Sequence, residues 1–227
     1  MKIKEYTVGD LLFEVFKFEI IDQRMYVLRC QKNVLIIDPH ADEDLKNQLD
    51  ADSKIMILLT HEHFDHISGI DFYRQYFECR VMCSCLCRDK LYAKDNGTSR
   101  FPFLFIGDKE TYASVKKEYS LPYYPQIDGV LEDGEKLDFC GHKIVSYYTP
   151  GHSGGGMSYL FDEIILFAGD NLLGNKQELR SIDSDRDEFM KTMNFYSNMN
   201  GKNILLFPGH GEISSFDDMY TKVRSYV

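Results

Sequence analysis

The sequence has no apolar run long enough to cross a bilayer, since nothing in its 227 residues approaches the roughly 18 consecutive apolar positions that a membrane helix needs. No transmembrane helix is therefore expected. The start of the chain also lacks the unbroken apolar core of a signal peptide, because Glu14, Lys17 and Glu19 interrupt the run from Leu11 to Ile21 and alternate with Phe16, Phe18 and Ile20. That alternation predicts a strand in a cytoplasmic protein. Positive charge is scarce as well: 26 Lys and Arg face 36 Asp and Glu, a formal charge of −10. Capture of nucleic acid depends on cations neutralising phosphates, so a nucleic-acid partner is not expected. No membrane partner is expected either, and composition leaves the oligomeric state open. Short-period repeats and low-complexity segments are missing too.

Hydrophobic residues make up 44% and charged residues 27%, which fits a globular protein, and the length predicts one domain spanning 1–227. The six cysteines need not form a disulfide framework in a chain this large, and reduced thiols are expected. Cys83, Cys85 and Cys87 alternate after Val81, which predicts a strand with all three on one buried face. Their spacing is tighter than the two or more intervening residues usual in metal-binding Cys pairs.

Apolar runs predict short buried strands at Val34 to Ile37 and Ile55 to Leu59, with a surface helix across the polar stretch from Asp42 to Asp50. Ile67, Ile70, Tyr73 and Phe77 recur at spacings of three and four and predict a helix. The second half repeats this rhythm, with strands at Lys143 to Tyr148, Met157 to Phe161, Ile164 to Ala168 and Ile204 to Phe207. Helices are expected over Asp185 to Tyr196 and from Phe216 onward. Strands and helices in both halves point to a layered α/β domain.

The stretch from about 88 to 128 breaks the rhythm. It holds Tyr92, Phe101, Phe103, Phe105, Tyr112, Tyr119, Tyr123 and Tyr124, and it is interrupted by Pro102, Pro122 and Pro125. Such an insertion suits a lid or pocket wall, or else a subdomain or subunit contact that buries its own aromatics.

Three of the seven histidines fall within six residues, in His61-Glu62-His63-Phe64-Asp65-His66, on the loop leaving the Ile55 strand. Any one of them alone would read as an ordinary histidine. Together, three imidazoles and a carboxylate in one short turn are costly to satisfy without a metal or a dense hydrogen-bond network. Three later elements each add one candidate at the end of an apolar strand: His152 in Pro150-Gly151-His152-Ser153-Gly154, Asp170 in Gly169-Asp170, and His210 in Pro208-Gly209-His210-Gly211. Imidazole and carboxylate suit Zn and also Fe, Mn or Co.

In these four motifs and their order, the chain resembles the metallo-β-lactamase superfamily, most closely its glyoxalase II-like branch, over most of its length to about Gly211. The resemblance implies a four-layer αββα sandwich with two divalent metal ions in a groove, Zn2+ first among the candidates and Fe or Mn as alternatives. It further implies that His61, His63 and His152 bind the first ion, that Asp65, His66 and His210 bind the second, and that Asp170 bridges them. His40, after Asp38-Pro39, and His142 lie outside these motifs and are read as nonligands. Two cations sharing a water lower its pKa toward neutrality and present hydroxide to a carbonyl or phosphorus. Asp65 is the candidate to orient that hydroxide and shuttle its proton.

Within the family, Asp170 stands where antibiotic-hydrolysing members generally carry Cys or Ser, and His63 stands where flavo-diiron members carry Glu. Only 16 residues follow Gly211, whereas glyoxalase II carries a helical domain there. Leu173 occupies a position that is Tyr in the lactonases, and the RNA- and DNA-processing branches add a further domain or arm. A hydrolase acting on a small-molecule thioester, lactone, other ester or phosphodiester is the resulting expectation. The alternatives are a mononuclear-iron sulfur dioxygenase and a noncatalytic metal-bound domain.

Overall fold

A computed structural model describes residues 1–8, 11–18, 22–93, 123–176, 178–179 and 184–227. Its first sheet holds β1 (Lys2–Val8), β2 (Leu11–Phe18), β3 (Gln23–Cys30), β4 (Asn33–Ile37), β5 (Lys54–Leu58), β6 (Glu78–Ser84) and β7 (Gly129–Leu131), side by side in chain order. The pairs from β1 to β4 are antiparallel and those from β4 to β7 parallel. The second sheet runs β8 (Lys136–Phe139), β9 (His142–Tyr148), β10 (Met157–Phe161), β11 (Ile165–Gly169), β12 (Leu205–Pro208) and β13 (Ser214–Ser215), in which β11 and β12 are parallel.

The alternation of strand side chains sets the layers. Val34 and Ile36 of β4 point to an outer cluster, while Leu35 and Ile37 point inward to a core shared with Phe161, Phe167 and Phe207 of the other sheet. The outer face of the first sheet is covered by α1 (Glu43–Gln48), α2 (Phe64–Ile67), α3 (Ile70–Arg74) and α4 (Cys85–Tyr92) through Leu45, Ile67, Ile70, Tyr73, Cys87 and Leu91. That of the second sheet is covered by α5 (Arg186–Tyr196) and α6 (Phe216–Arg224) through Phe189, Met193, Phe216 and Val223. The result is the expected αββα sandwich. Among the described residues no helix is long and apolar enough to cross a membrane.

Two sequence expectations need correction. The cysteine strand ends early, because Ser84 accepts a hydrogen bond from the Cys87 amide at 3.0 Å and so caps α4. Cys83 and Cys87 are buried, but Cys85 opens the helix on its exposed side. The helix expected from Ile67 begins at Phe64 and is broken into α2 and α3. Gly69 sits at the break, where a Cβ would lie 2.5 Å from the His40 carbonyl carbon, so the chain must pass there without a side chain. Of the aromatic insertion, Phe101, Phe103, Phe105, Tyr112 and Tyr119 lie outside the described residues. Its described flanks are tied down: the Tyr92 hydroxyl accepts from the Ile127 amide at 2.8 Å, and Tyr123 accepts from the Asp71 amide at 3.1 Å.

Candidate metal centre

Parallel strands bring their C-terminal ends to one edge, and the two sheets meet there. β4 delivers Asp38, β5 delivers Thr60 and His61, β11 delivers Asp170, and β12 delivers His210. The His210 loop is clamped by both sheets, since the Arg24 amide donates to the Gly209 carbonyl at 2.7 Å and the Gly209 amide to the Gly169 carbonyl at 2.8 Å. Tyr26 adds a hydrogen bond from its hydroxyl to the Pro208 carbonyl at 2.6 Å. A Cβ at Gly209 would run into Asp170 Oδ1 and His66 Cε1, so glycine is what lets this loop approach the cluster. His63 occupies the N-cap position of α2 without capping it, because its ring turns toward His61 and His152 instead.

The structure brings all seven sequence candidates together. His61, His63 and His152 form one group, Asp65, His66 and His210 another, and His61, His66 and Asp170 a third, with the donor atoms of each group all within 4.8 Å of one another. His61 Nε2 and His152 Nε2 lie 2.9 and 3.1 Å from His63 Nδ1. Tetrahedral Zn with Zn–N of about 2.0–2.1 Å sets its ligand nitrogens roughly 3.3 Å apart, so this convergence is close to a coordination polyhedron. Asp170 stands between the groups, with Oδ2 3.5 Å from His152 Nε2 and 3.4 Å from His210 Nε2, and Oδ1 3.5 Å from His66 Nε2. Asp65 Oδ2 lies 3.2 Å from His210 Nε2.

The donor set fits a cation on independent grounds. His66 Nε2 and Asp170 Oδ1 are buried without a hydrogen-bond partner, an arrangement that is costly unless something else satisfies them. The remote ring nitrogens are committed elsewhere. His66 Nδ1 donates to Asp38 Oδ2 at 2.8 Å, and His152 Nδ1 donates to the Glu178 main-chain carbonyl at 2.9 Å. Thr60 Oγ1 donates to Asp38 Oδ2 at 2.6 Å, which leaves it to accept from His61 Nδ1 at 3.0 Å. Each of these bonds keeps a proton on Nδ1, so that the neutral ring presents its Nε2 lone pair to the cluster.

Electrostatics follow from burial and from the carboxylates. Burial drives His61 well below the ordinary imidazole range and His152 down to about 4. At His66 burial opposes the charge, but Asp65, Asp170 and Asp38 outweigh it and raise the group to about 9. His210 is likewise raised against burial by Asp170 and Asp65. Burial pushes both acids upward, yet the cationic rings prevail: Asp65 is held down to about 2, mainly by His66, and Asp170 is lowered well below the carboxylate range, mainly by His210. A divalent ion entering this cluster would displace protons that now balance the acids.

His40 and His142 belong to none of the three groups. His40 is buried against Phe18, with Nδ1 3.1 Å from Gln23 Oε1. His142 meets Asp162 at 2.7 Å at the start of β9. Asp38, Thr60 and Glu178 were not singled out by sequence reasoning. Asp38 left one clue, an acid at the end of a strand paired with the strand leading to His61, whereas Glu178 lies in an irregular loop with no local signal.

Residues 23–210 match the family model described as the Metallo-beta-lactamase superfamily. The chain is 25% identical over 181 residues to a hydroxyacylglutathione hydrolase from Synechococcus sp., a match covering 68% of this chain and 57% of that protein. It therefore spans little more than half the length of that relative. It is 27% identical over 191 residues to the probable polyketide biosynthesis zinc-dependent hydrolase BaeB of Bacillus velezensis, covering 80% and 69%. Among solved structures, the BLEG-1 B3 metallo-beta-lactamase superposes with a TM-score of 0.69 at 26% identity, covering 91% of this chain and 96% of that one.

Proposed function

The chain belongs to the metallo-beta-lactamase superfamily, and we propose that it is a metal-dependent hydrolase that cleaves an ester-like bond in a small molecule. The observation that carries this reading is the convergence of His61 Nε2, His63 Nδ1 and His152 Nε2, with the Asp170 carboxylate set between them and His210. His61, His63 and His152 would hold a first divalent ion, Asp65, His66 and His210 a second, and Asp170 both. Bound there, two such ions supply an acidified water and Lewis acidity toward a carbonyl or phosphoryl oxygen.

The remaining work falls to the chain itself. Asp38 and Thr60 hold two of the imidazoles in the tautomer that presents Nε2. Asp65 is the candidate to orient the attacking water and carry its proton, since its carboxylate lies at the group that holds His210, the most exposed of the five ring donors. Zn2+ is the first choice of metal, supported by the name of the Bacillus relative, with Fe or Mn as alternatives. The net charge of −10 favours a small-molecule substrate over nucleic acid.

The test is metal analysis of protein purified without added metal, joined to a hydrolysis screen across thioesters, lactones, other esters and phosphodiesters. A β-lactam belongs in the panel because of the structural neighbour's name. Two ions per chain and a hydrolysis that a chelator abolishes are expected. A single iron with oxygen consumption on a persulfide and no hydrolysis would instead make the protein a sulfur dioxygenase.

A further inference from the structure

A second buried carboxylate lies beside the cluster, outside the seven candidate ligands. Glu178 is 1% exposed, and its main-chain carbonyl accepts the Nδ1–H of His152 at 2.9 Å. Its side chain turns the other way. There Oε1 accepts from the amides of Leu173 at 3.1 Å and Gly174 at 2.6 Å, and from the Tyr226 hydroxyl at 2.6 Å. The second oxygen, Oε2, is buried without a hydrogen-bond partner. Tyr226 follows α6 and is itself held in place, since its hydroxyl accepts from the Lys176 amide at 3.4 Å and the Lys176 ammonium lies 5.5 Å from its ring centroid. A buried carboxylate is costly to move away from donors that match it, so three donors on one oxygen fix the backbone at 178.

We propose that Glu178 is a positioning residue for the metal centre: its carboxylate, clamped by Leu173, Gly174 and Tyr226, fixes the carbonyl that holds the proton of His152 on Nδ1 and so frees Nε2 for the first ion. The inference rests on the metal-centre reading above. The acceptor is a main-chain atom, so no side-chain change deletes it, and the role is exercised through the clamp. A purely structural tie between α6 and the loop would give a different result. It would lower stability without distinguishing one ion from the other.

The experiment compares wild-type protein with Tyr226→Phe and Glu178→Gln, each titrated with Zn2+ against a chromogenic chelator and each loaded separately with Co2+ for proton NMR. Tyr226→Phe removes one hydroxyl and keeps the ring, so the clamp stays testable even if Glu178→Gln does not fold. Affinity for the ion at His61, His63 and His152 should fall by about 10-fold, the lower end of the range for outer partners of ligand histidines, while the other ion is largely unaffected. The paramagnetically shifted Nδ1–H resonance of His152 should move or broaden while those of His61 and His66 stay. Unchanged affinities with an unchanged resonance would overturn the proposal, as would an equal loss of both ions. A wild-type protein that binds neither Zn2+ nor Co2+ would instead remove the metal-centre reading itself, and that result comes from a different sample.

Discussion

Replacing Asp38 by Asn changes one oxygen to an NH2 group at a residue that reaches both halves of the cluster, directly at His66 and through Thr60 at His61. Oδ1 accepts from the Thr60 amide at 2.7 Å, and Oδ2 accepts from the Thr60 hydroxyl at 2.6 Å and from His66 Nδ1 at 2.8 Å. If the amide oxygen keeps the Thr60 N–H, the new NH2 replaces Oδ2 and must donate to both of its former donors. His66 Nδ1 must then become an acceptor, which moves its proton to Nε2, the atom that faces Asp170 and Asp65. The Thr60 hydroxyl must also accept, so its proton turns to His61 Nδ1, and that ring reverses as well. The opposite amide orientation sets NH2 against the buried Thr60 N–H and costs about 1–3 kcal/mol. The backbone adds no new penalty, because Asp38 has φ 54° and Asn adopts the left-handed region at least as readily. Loss of an orienting partner weakens metal binding by about 10- to 100-fold, or about 1.4–2.8 kcal/mol for each ion. Chelator competition measures the affinities, and nitrogen-15 NMR of the zinc-loaded protein reads the tautomers. An Asp38→Asn protein that binds both ions with wild-type affinity and keeps Nδ1–H on His61 and His66 would refute the reasoning.

Asp170→Asn should weaken binding of both ions and lower turnover together, because its Oδ2 faces His152 and His210 alike; an intact metal content with wild-type turnover would contradict this. Gly209→Ala should abolish metal binding by driving a methyl group into Asp170 and His66 while the far-ultraviolet circular dichroism stays native, and a metal-replete variant would count against the geometry. His40, which burial depresses to about 3, should make the fold acid-sensitive. The unfolded chain takes up its proton below about pH 6.5 and the native chain only near 3, so this stability is full above pH 6.5 and is lost as pH falls toward 3, by at most about 5 kcal/mol. His40→Asn should flatten that slope in urea unfolding without changing metal content, and loss of a metal equivalent would make His40 a ligand after all.

Local pattern was enough for the elements that carry the site. The apolar runs at Val34 to Ile37 and Ile55 to Leu59 became β4 and β5, and Asp185 caps α5 at the boundary where the helix was expected to start. Such elements are legible because a strand's or helix's repeat is written into consecutive residues. The seven candidates were legible for a related reason, since each motif is short and places its donor at a strand end. Features that depend on a distant partner were not. Cys85 left the strand because Ser84 found the Cys87 amide, and α2 was separated from α3 because Gly69 passes the His40 backbone.

By itself the sequence determined the family, the layered α/β architecture and the candidate metal ligands, because each is encoded in local order and spacing. Only the tertiary structure decided which nitrogen of His61, His66 and His152 faces the cluster, since that depends on Asp38 and Thr60 at the ends of adjacent strands and on a carbonyl in the loop after Asp170. It also set Asp170 between His152 and His210, which lie far apart in the chain. The physical reason is that a hydrogen bond or a ligand contact is fixed by distance and direction in space, and these arise only when the two sheets pack and bring their strand ends to one edge.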